Sequence, residues 1–190
     1  MIMKTLNQYI QEKLIVNKDY HEAKIVVKSF DELRKIVDDR YDELGPGTKQ
    51  NPIDFNDIDV SNMNALDNKY QGIFEYTKFK YIDISDWNVS NVKSMFAIFA
   101  GCNELESVGD ISNWDVSNVT NMQYMFFKCN KFNQDISNWN VSNVTDMTGM
   151  FNSCKNFNQD LSDWNVYKVK FNRGIFKDCP IKKEYKPKFK

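Results

Sequence analysis

Residues 132–154 read FNQDISNWNVSNVTDMTGMFNSC, and copies of this stretch fill most of the chain. The block Asp-Ile-Ser-x-Trp-x-Val begins at Asp83, Asp110 and Asp135, and again at Asp160 with Leu in place of Ile. The four tryptophans are 27, 25 and 25 residues apart, and the longer interval reflects two extra residues near Ser107–Gly109. A fixed period of this length is typical of a repeat array.

The repeats can be numbered by the tryptophan position. A degenerate copy comes first and has Ile58 at this position, so repeats 1 to 5 are centred on Ile58, Trp87, Trp114, Trp139 and Trp164. We expect each Asp-Ile-Ser-x-Trp-x-Val block to form a short strand that pairs in parallel with its neighbours about 4.8 Å away. The following Ser-Asn-Val-Thr is predicted to cap a short helical turn. The predicted fold is therefore an α/β solenoid over residues 51–181.

Residues 1–50 are predicted to form an N-terminal cap on this array. Lys4–Ile15 is predicted to be a helix and Lys24–Lys28 a strand. Ser29 to Glu32 matches a capping box, and Gly45-Pro46-Gly47 should end the helix that follows. The apolar positions of that helix are Phe30, Leu33, Ile36, Val37, Tyr41 and Leu44. Residues 182–190 carry five lysines and are predicted to be a solvated basic tail.

The repeat resembles a known family. Residues 132–151 together with Cys154 are similar to the repeat of the BspA-like leucine-rich-repeat surface proteins of bacteria, and the resemblance covers residues 54–181. It implies a leucine-rich-repeat-like solenoid that binds proteins, with no catalytic residues. The opening residues 6–14 also resemble the starts of small proteins from bacteriophages and bacterial mobile elements.

Composition disfavours several classes of partner. Lys and Arg number 25 and Asp and Glu 26, so no overall field favours nucleic acid or an anionic membrane. The apolar runs are far shorter than the ~20 residues that cross a bilayer, and the N-terminus shows no secretory signal. We therefore expect a cytoplasmic monomer whose cysteines are reduced.

Three rows of recurring side chains each allow more than one interpretation. Cys102, Cys129, Cys154 and Cys179 occur once per repeat, which favours buried thiols over a metal site or disulfides. The recurring Asp is expected to accept backbone amides of its own turn, with a row of calcium ligands as the alternative. The tryptophans are expected to be a buried ladder, with an exposed stacking stripe for sugars or bases as the alternative.

Nothing in the sequence indicates an enzyme. His21 is the only histidine, and it lies in the predicted cap, far along the chain from every cysteine. No Gly-rich phosphate loop and no metal-binding His pair is present. We predict no catalytic residues, no cofactor and no metal.

The predicted function is binding of a partner protein through the strand face of the solenoid. If the tryptophans point inward, alternation along the strand turns the residues on either side of them to solvent. The predicted binding residues are Asp86, Asn88, Asn113, Asp115, Asn138, Asn140, Asp163 and Asn165. One alternative is a phage or mobile-element effector that occupies the groove of a host enzyme, and another is a structural component of a virion or surface layer.

Overall fold

The computed structural model describes residues 24–190, so the predicted helix over Lys4–Ile15 and His21 lie outside the described residues. The described part is a small mixed α/β arrangement. In chain order it contains β1 (Ile25–Val26), α1 (Phe30–Leu44), β2 (Ile53–Asp54), β3 (Ile58–Asp59), β4 (Ile82–Asp83) and a final 3₁₀ helix, Lys183–Tyr185. β1 pairs in parallel with β3, and β2 pairs in parallel with β4.

Successive repeats are joined by a ladder of parallel bridges, one residue from each repeat. The bridges link Ala65 to Ser94, Ser94 to Asn121, Asn121 to Asp146 and Asp146 to Phe171. Each of these residues lies seven positions after the tryptophan or its equivalent. Equivalent positions of consecutive repeats are therefore neighbours in space.

The ladder lies outside the block that was predicted to be the strand. In repeat 1 the block contains β3, as predicted, but β2 and β4 include only the first Asp of the block. In repeats 3 to 5 the block is a series of turns. The physical reason is that the Asp side chain accepts the amide of the residue two positions later, which diverts that amide from a sheet.

The predicted helical turn is instead a run of consecutive β-turns. In repeat 3 the amide of Met125 donates to the carbonyl of Met122, and that of Cys129 to Phe126. Tyr124 and Lys128 are the third residues of these turns and have φ of 57° and 59°. A positive φ at this position is the mark of a type II turn, which keeps alternate amides free to bond to the next repeat.

The interior consists of columns of aromatic rings, one ring per repeat. The column Phe74, Phe99, Phe126, Phe151 and Phe176 has centroid separations of 5.4 to 5.7 Å and interplanar angles of at most 14°. The prediction that the tryptophans are buried is confirmed, because all four are at most 6% exposed. The indole N–H groups of Trp87, Trp139 and Trp164 bond to the preceding repeat, for example Trp139 to the carbonyl of Ile111 at 2.8 Å.

The cysteines form a second buried column. All four thiols are free, and Cys102, Cys129 and Cys154 donate to the carbonyls of Phe74, Phe99 and Phe126 at 3.0, 2.9 and 2.8 Å. Burial raises the pKa of Cys102 to about 11 and raises the pKa values of Cys129 and Cys154 well above the usual range of a thiol. These thiols therefore act as small core side chains that also satisfy a backbone carbonyl of the previous repeat.

Helix α1 covers the first repeat. Its predicted capping box is confirmed, since Ser29 Oγ accepts the Glu32 amide and a Glu32 carboxylate oxygen accepts the amide of Lys28. Leu33, Ile36 and Val37 are completely buried. The predicted apolar face is wrong at Leu44, which is 59% exposed, because the chain turns away at Gly45 with φ of 73°. The buried position one turn earlier is Arg40, which bonds to both carboxylate oxygens of Asp57 at 2.8 and 2.6 Å.

The C-terminal residues are not a solvated tail. Ile181 and Pro187 are buried, and the carbonyl of Tyr185 accepts the amide of Leu161 at 2.8 Å. Lys190 Nζ lies 3.3 Å from the centroid of the Tyr167 ring. The basic segment therefore folds back over one side of repeat 5.

Candidate protein-binding surface

The recurring aspartates begin a row of identical turns. The prediction that each accepts a backbone amide of its own turn is confirmed, with the amide two residues later lying 2.8 to 3.0 Å from Oδ1. The aspartates in this row are Asp54, Asp83, Asp110, Asp135 and Asp160. This bond removes the need for a cation to compensate the carboxylates.

Hydrogen bonds keep two of these carboxylates charged. The hydroxyl and the amide of Ser112 lower the pKa of Asp110, and the amide and the hydroxyl of Ser162 lower the pKa of Asp160. Both groups are therefore ionised at neutral pH.

The residues that follow each tryptophan form a second row of such turns. Asn88, Asp115, Asn140 and Asn165 are all exposed, as predicted, yet each Oδ1 accepts an amide two residues later at 3.0 to 3.3 Å. Half of the predicted binding residues thus also fix the backbone of their own repeat.

The residues that precede each tryptophan are different. Asp86, Asn113, Asn138 and Asp163 are exposed, and their side chains make no hydrogen bond or ion pair within residues 24–190. Because successive repeats are stacked in register, these four positions form a single row. We call this the free row, since it is the set of predicted residues whose polar groups are available to a partner.

The recurring aspartates, the row after the tryptophans and the free row all belong to one charged surface. We define the Asx face as the surface of segments 54–61, 83–90, 110–117, 135–142 and 160–167. These segments contain ten Asp and no Lys, Arg or His. The near-zero net charge of the chain therefore hides a strongly acidic side.

Asparagine side chains hold the Asx face together from one repeat to the next. Asn118 Nδ2 donates to the carbonyl of Ser90 at 2.7 Å, and Asn143 Nδ2 donates to that of Ser117 at 2.7 Å. The face is thus braced laterally as well as within each turn, which lowers the entropy that a partner would have to remove on binding.

Sequence reasoning noticed the two extra residues near Ser107–Gly109 but gave them no role. In the structure the Gln134 side chain brackets them, accepting the Val108 amide at 2.9 Å and donating to the Gly109 carbonyl at 2.7 Å. Two clefts adjoin the insertion, and one of them is also lined by Asn138 of the free row. Trp114 is the tryptophan of this repeat, and its buried indole N–H is without a partner in the described part of the chain. The irregular 27-residue interval was the signal of this feature.

The His, Cys, Asp and Glu side chains of the described residues are not grouped in a way that would form a metal site. No group of three or more His, Cys, Asp or Glu side chains that could hold a metal ion is found over residues 24–190. Over the same range, no helix is long and apolar enough to span a bilayer.

Comparison with known proteins identifies one family. The model of the family described as Mycoplasma protein of unknown function, DUF285, matches residues 68–186. No curated protein and no solved structure matches the chain. The matched range contains four of the five repeats, including the complete free row.

Proposed function

Because the chain belongs to the DUF285 family, whose description assigns no activity, we propose from its surface that it is a protein-binding module. The partner binds the Asx face, with the free row at the centre of contact. The observation that carries this proposal is the contrast between the two rows of predicted residues. The side chains of one row fix the backbone, and those of the other are exposed and make no hydrogen bond or ion pair within residues 24–190.

The architecture that we propose for this module is a leucine-rich-repeat-like solenoid of the BspA-like type. Its support is the ladder of parallel bridges at a constant position of each repeat and the aromatic columns that run through all of them. Such arrays offer the same side-chain position at regular spacing, which suits a long partner surface.

The chemistry of the Asx face indicates the kind of partner. Of the ten aspartates, Asp57 is paired with Arg40 from helix α1, and the segments themselves carry no cation. The remaining carboxylates attract a surface rich in Lys or Arg and repel an acidic one. The asparagine amides of the free row add donors and acceptors that can match polar groups of the partner. The complementary surface is therefore basic and polar.

Substitution of two central residues of the free row tests the proposal. Asn113→Lys with Asn138→Lys adds two positive charges where neither side chain makes a bond that the fold uses. The matched control is Asn152→Lys with Asn156→Lys, which makes the same chemical change outside the Asx face. Each protein is immobilised and used to capture partners from bacterial lysate, which are identified by mass spectrometry.

A partner retained by the wild type and by the control but lost with the Asn113 and Asn138 variant supports the proposal. We expect a loss of affinity of about tenfold or more when two positive charges are added at the centre of the contact. Equal capture by all three proteins, or loss with the control alone, would place the binding site elsewhere. Circular dichroism of each variant establishes that the fold is intact.

A further inference from the structure

The two sides of each repeat differ in their backbone hydrogen bonding. On the C-terminal side of repeat 4, four alternate amides donate to carbonyls of repeat 5. The donors are Met147, Gly149, Phe151 and Ser153, at 2.8 to 3.0 Å. The same four positions donate in the same way between repeats 2 and 3 and between repeats 3 and 4.

Repeat 5 has the same four amides, and residues 180–190, which come after it, are not a further copy of the repeat. The four amides belong to Asn172, Gly174, Phe176 and Asp178, and none of them donates to any group within residues 24–190. Gly174 and Asp178 have φ of 66° and 55°, so the turns of repeat 5 keep the conformation that directs these amides outward. We call this row of amides the open edge.

The C-terminal segment accepts none of the open amides, although Lys186 Nζ lies 5.6 Å from the centroid of the Phe176 ring. Its backbone contact is the bond from Leu161 to Tyr185, and Lys182 bonds through its amide to Asn158. Both contacts lie on the part of repeats 4 and 5 that surrounds the tryptophan block. Phe171, at the beginning of the open edge, is 60% exposed.

The surroundings of the open edge are strongly basic. Residues 167–190 contain nine Lys or Arg and two acidic residues. Lys170, Arg173 and Lys177 alternate with the open amides along the chain, and all three are exposed. An occupant must therefore supply carbonyl acceptors together with negative charge.

A second copy of this chain does not meet these requirements. Two open edges brought together would oppose donors to donors. At the opposite end of the array, the carbonyls of Ile73 and Glu75 are the equivalent acceptors, and Arg34 already donates to both at 3.2 and 3.3 Å. Because neither arrangement of the described residues supplies matching acceptors, we assign the acceptors to a different chain.

We propose that the open edge binds an extended, Asp- and Glu-rich segment of a partner protein. The segment lies alongside repeat 5 as an additional strand, and its carbonyls accept the four open amides. Its carboxylates pair with Lys170, Arg173 and Lys177. This site is separate from the Asx face, which would repel such a segment.

The probe is a synthetic peptide of six Glu-Val units, because it is acidic and favours an extended backbone. A peptide of six Lys-Val units is the control for charge. Amide hydrogen exchange, followed by NMR, reports on each open amide separately. Titrations use low ionic strength, where contacts between surface charges are least screened.

We expect the four open amides to exchange rapidly in the protein alone and to become protected when the Glu-Val peptide is added. The triple variant Lys170→Glu, Arg173→Glu and Lys177→Glu should bind about tenfold more weakly or worse. The matched control, Lys49→Glu, Lys78→Glu and Lys93→Glu, carries the same charge change away from the edge and should bind with at most a small loss. Thermal unfolding of both variants checks the fold.

Several results would overturn the proposal. Protection of the open amides without peptide would mean that another part of the chain already covers them, and a mass that doubles with concentration would identify a second copy as the occupant. Binding that protects other amides, equal binding of the Lys-Val peptide, or no binding at about millimolar concentration would also contradict it.

Discussion

The two ends of the repeat array are closed in different ways. At the N-terminal end, β1 adds a parallel strand to β3, helix α1 buries three apolar side chains, and Arg34 bonds to two carbonyls that would otherwise face outward. At the C-terminal end, residues 182–190 cover one side of repeat 5 and leave four backbone amides that bond to nothing in the described part of the chain. One end is closed by a cap, and the other is closed only in part.

This difference shows which interactions a repeat array requires and which it can omit. An exposed apolar surface at the first repeat would cause aggregation, so the N-terminal end has a cap that replaces a complete neighbouring repeat. Exposed amides can bond to water at little cost. The C-terminal end can therefore keep a backbone edge that is available for recognition.

Removal of the N-terminal cap should have the largest effect. Deletion of residues 1–50 exposes the surface that Leu33, Ile36 and Val37 cover, and each buried aliphatic side chain contributes roughly 1.5–3 kcal/mol. The sum is comparable to the net stability of a whole domain, so we expect aggregation or loss of cooperative unfolding. Light scattering and thermal unfolding would show this. As a control, a truncation that removes only residues 188–190 should remain monomeric. If the protein without residues 1–50 is also monomeric and unfolds cooperatively, the two ends do not differ.

The thiols should show a large difference between inner repeats and the C-terminal end. Cys102, Cys129 and Cys154 are completely buried, whereas Cys179 is partly exposed and its bond to the carbonyl of Phe157 is long, at 3.5 Å. The thiolate is the reactive form, and burial raises the pKa of the inner thiols more than that of Cys179. Under native conditions Cys179 should react with a thiol reagent about a hundredfold faster than the others.

Raising the pH should accelerate all four reactions, because each pKa lies above neutrality and the thiolate fraction grows as the pH approaches it. In denaturant all four should react equally and give four free thiols. A lower count in freshly reduced protein, or uniform native rates, would contradict the assignment of a tight interior and a looser C-terminal end.

The sequence predicted the period, the buried tryptophans, the Asp turns and the helix with its capping box, because each depends on interactions within one repeat or one turn. It placed the strand wrongly. The alternation of apolar residues around Trp139 favours a strand, but the Asp135 and Asn140 side chains accept local amides that a strand would need for pairing. It also missed Arg34 and the open edge. Both depend on which residues meet at the two ends of the array, and the spacing of residues along the sequence does not contain that information.

Arg34 provides a smaller test of how the N-terminal end is closed. Arg34→Met keeps the aliphatic stem and removes both the bonds to the Ile73 and Glu75 carbonyls and the ion pair with Asp38. We expect a loss of about 1 kcal/mol in the free energy of unfolding. The control is Lys35→Met, whose exposed ion pair with Asp39 should contribute less than about 0.5 kcal/mol. Urea unfolding measures both. Equal losses would mean that Arg34 contributes only as a surface charge and does not replace a missing repeat.

The smallest expected effect compares one turn position in an inner repeat and at the open edge. Lys128 and Asp178 are equivalent residues with φ of 59° and 55°, a conformation that costs a non-glycine residue about 1 kcal/mol. The amide of Lys128 is fixed by its bond to Asn152 at 2.8 Å, whereas that of Asp178 is open. Lys128→Gly should therefore relieve backbone strain that its repeat cannot otherwise release. It also removes the contact of the Lys128 ammonium with the Phe127 ring, so we expect a net gain of about 0.5 kcal/mol in the free energy of unfolding. Asp178→Gly should give no gain, because the terminal turn can relax without it.

The difference corresponds to about 1–2 °C in Tm, which replicate thermal and urea unfolding can resolve. Equal gains at both positions would show that the terminal turn is held as firmly as the inner ones and that the open edge is as rigid as an interface between repeats.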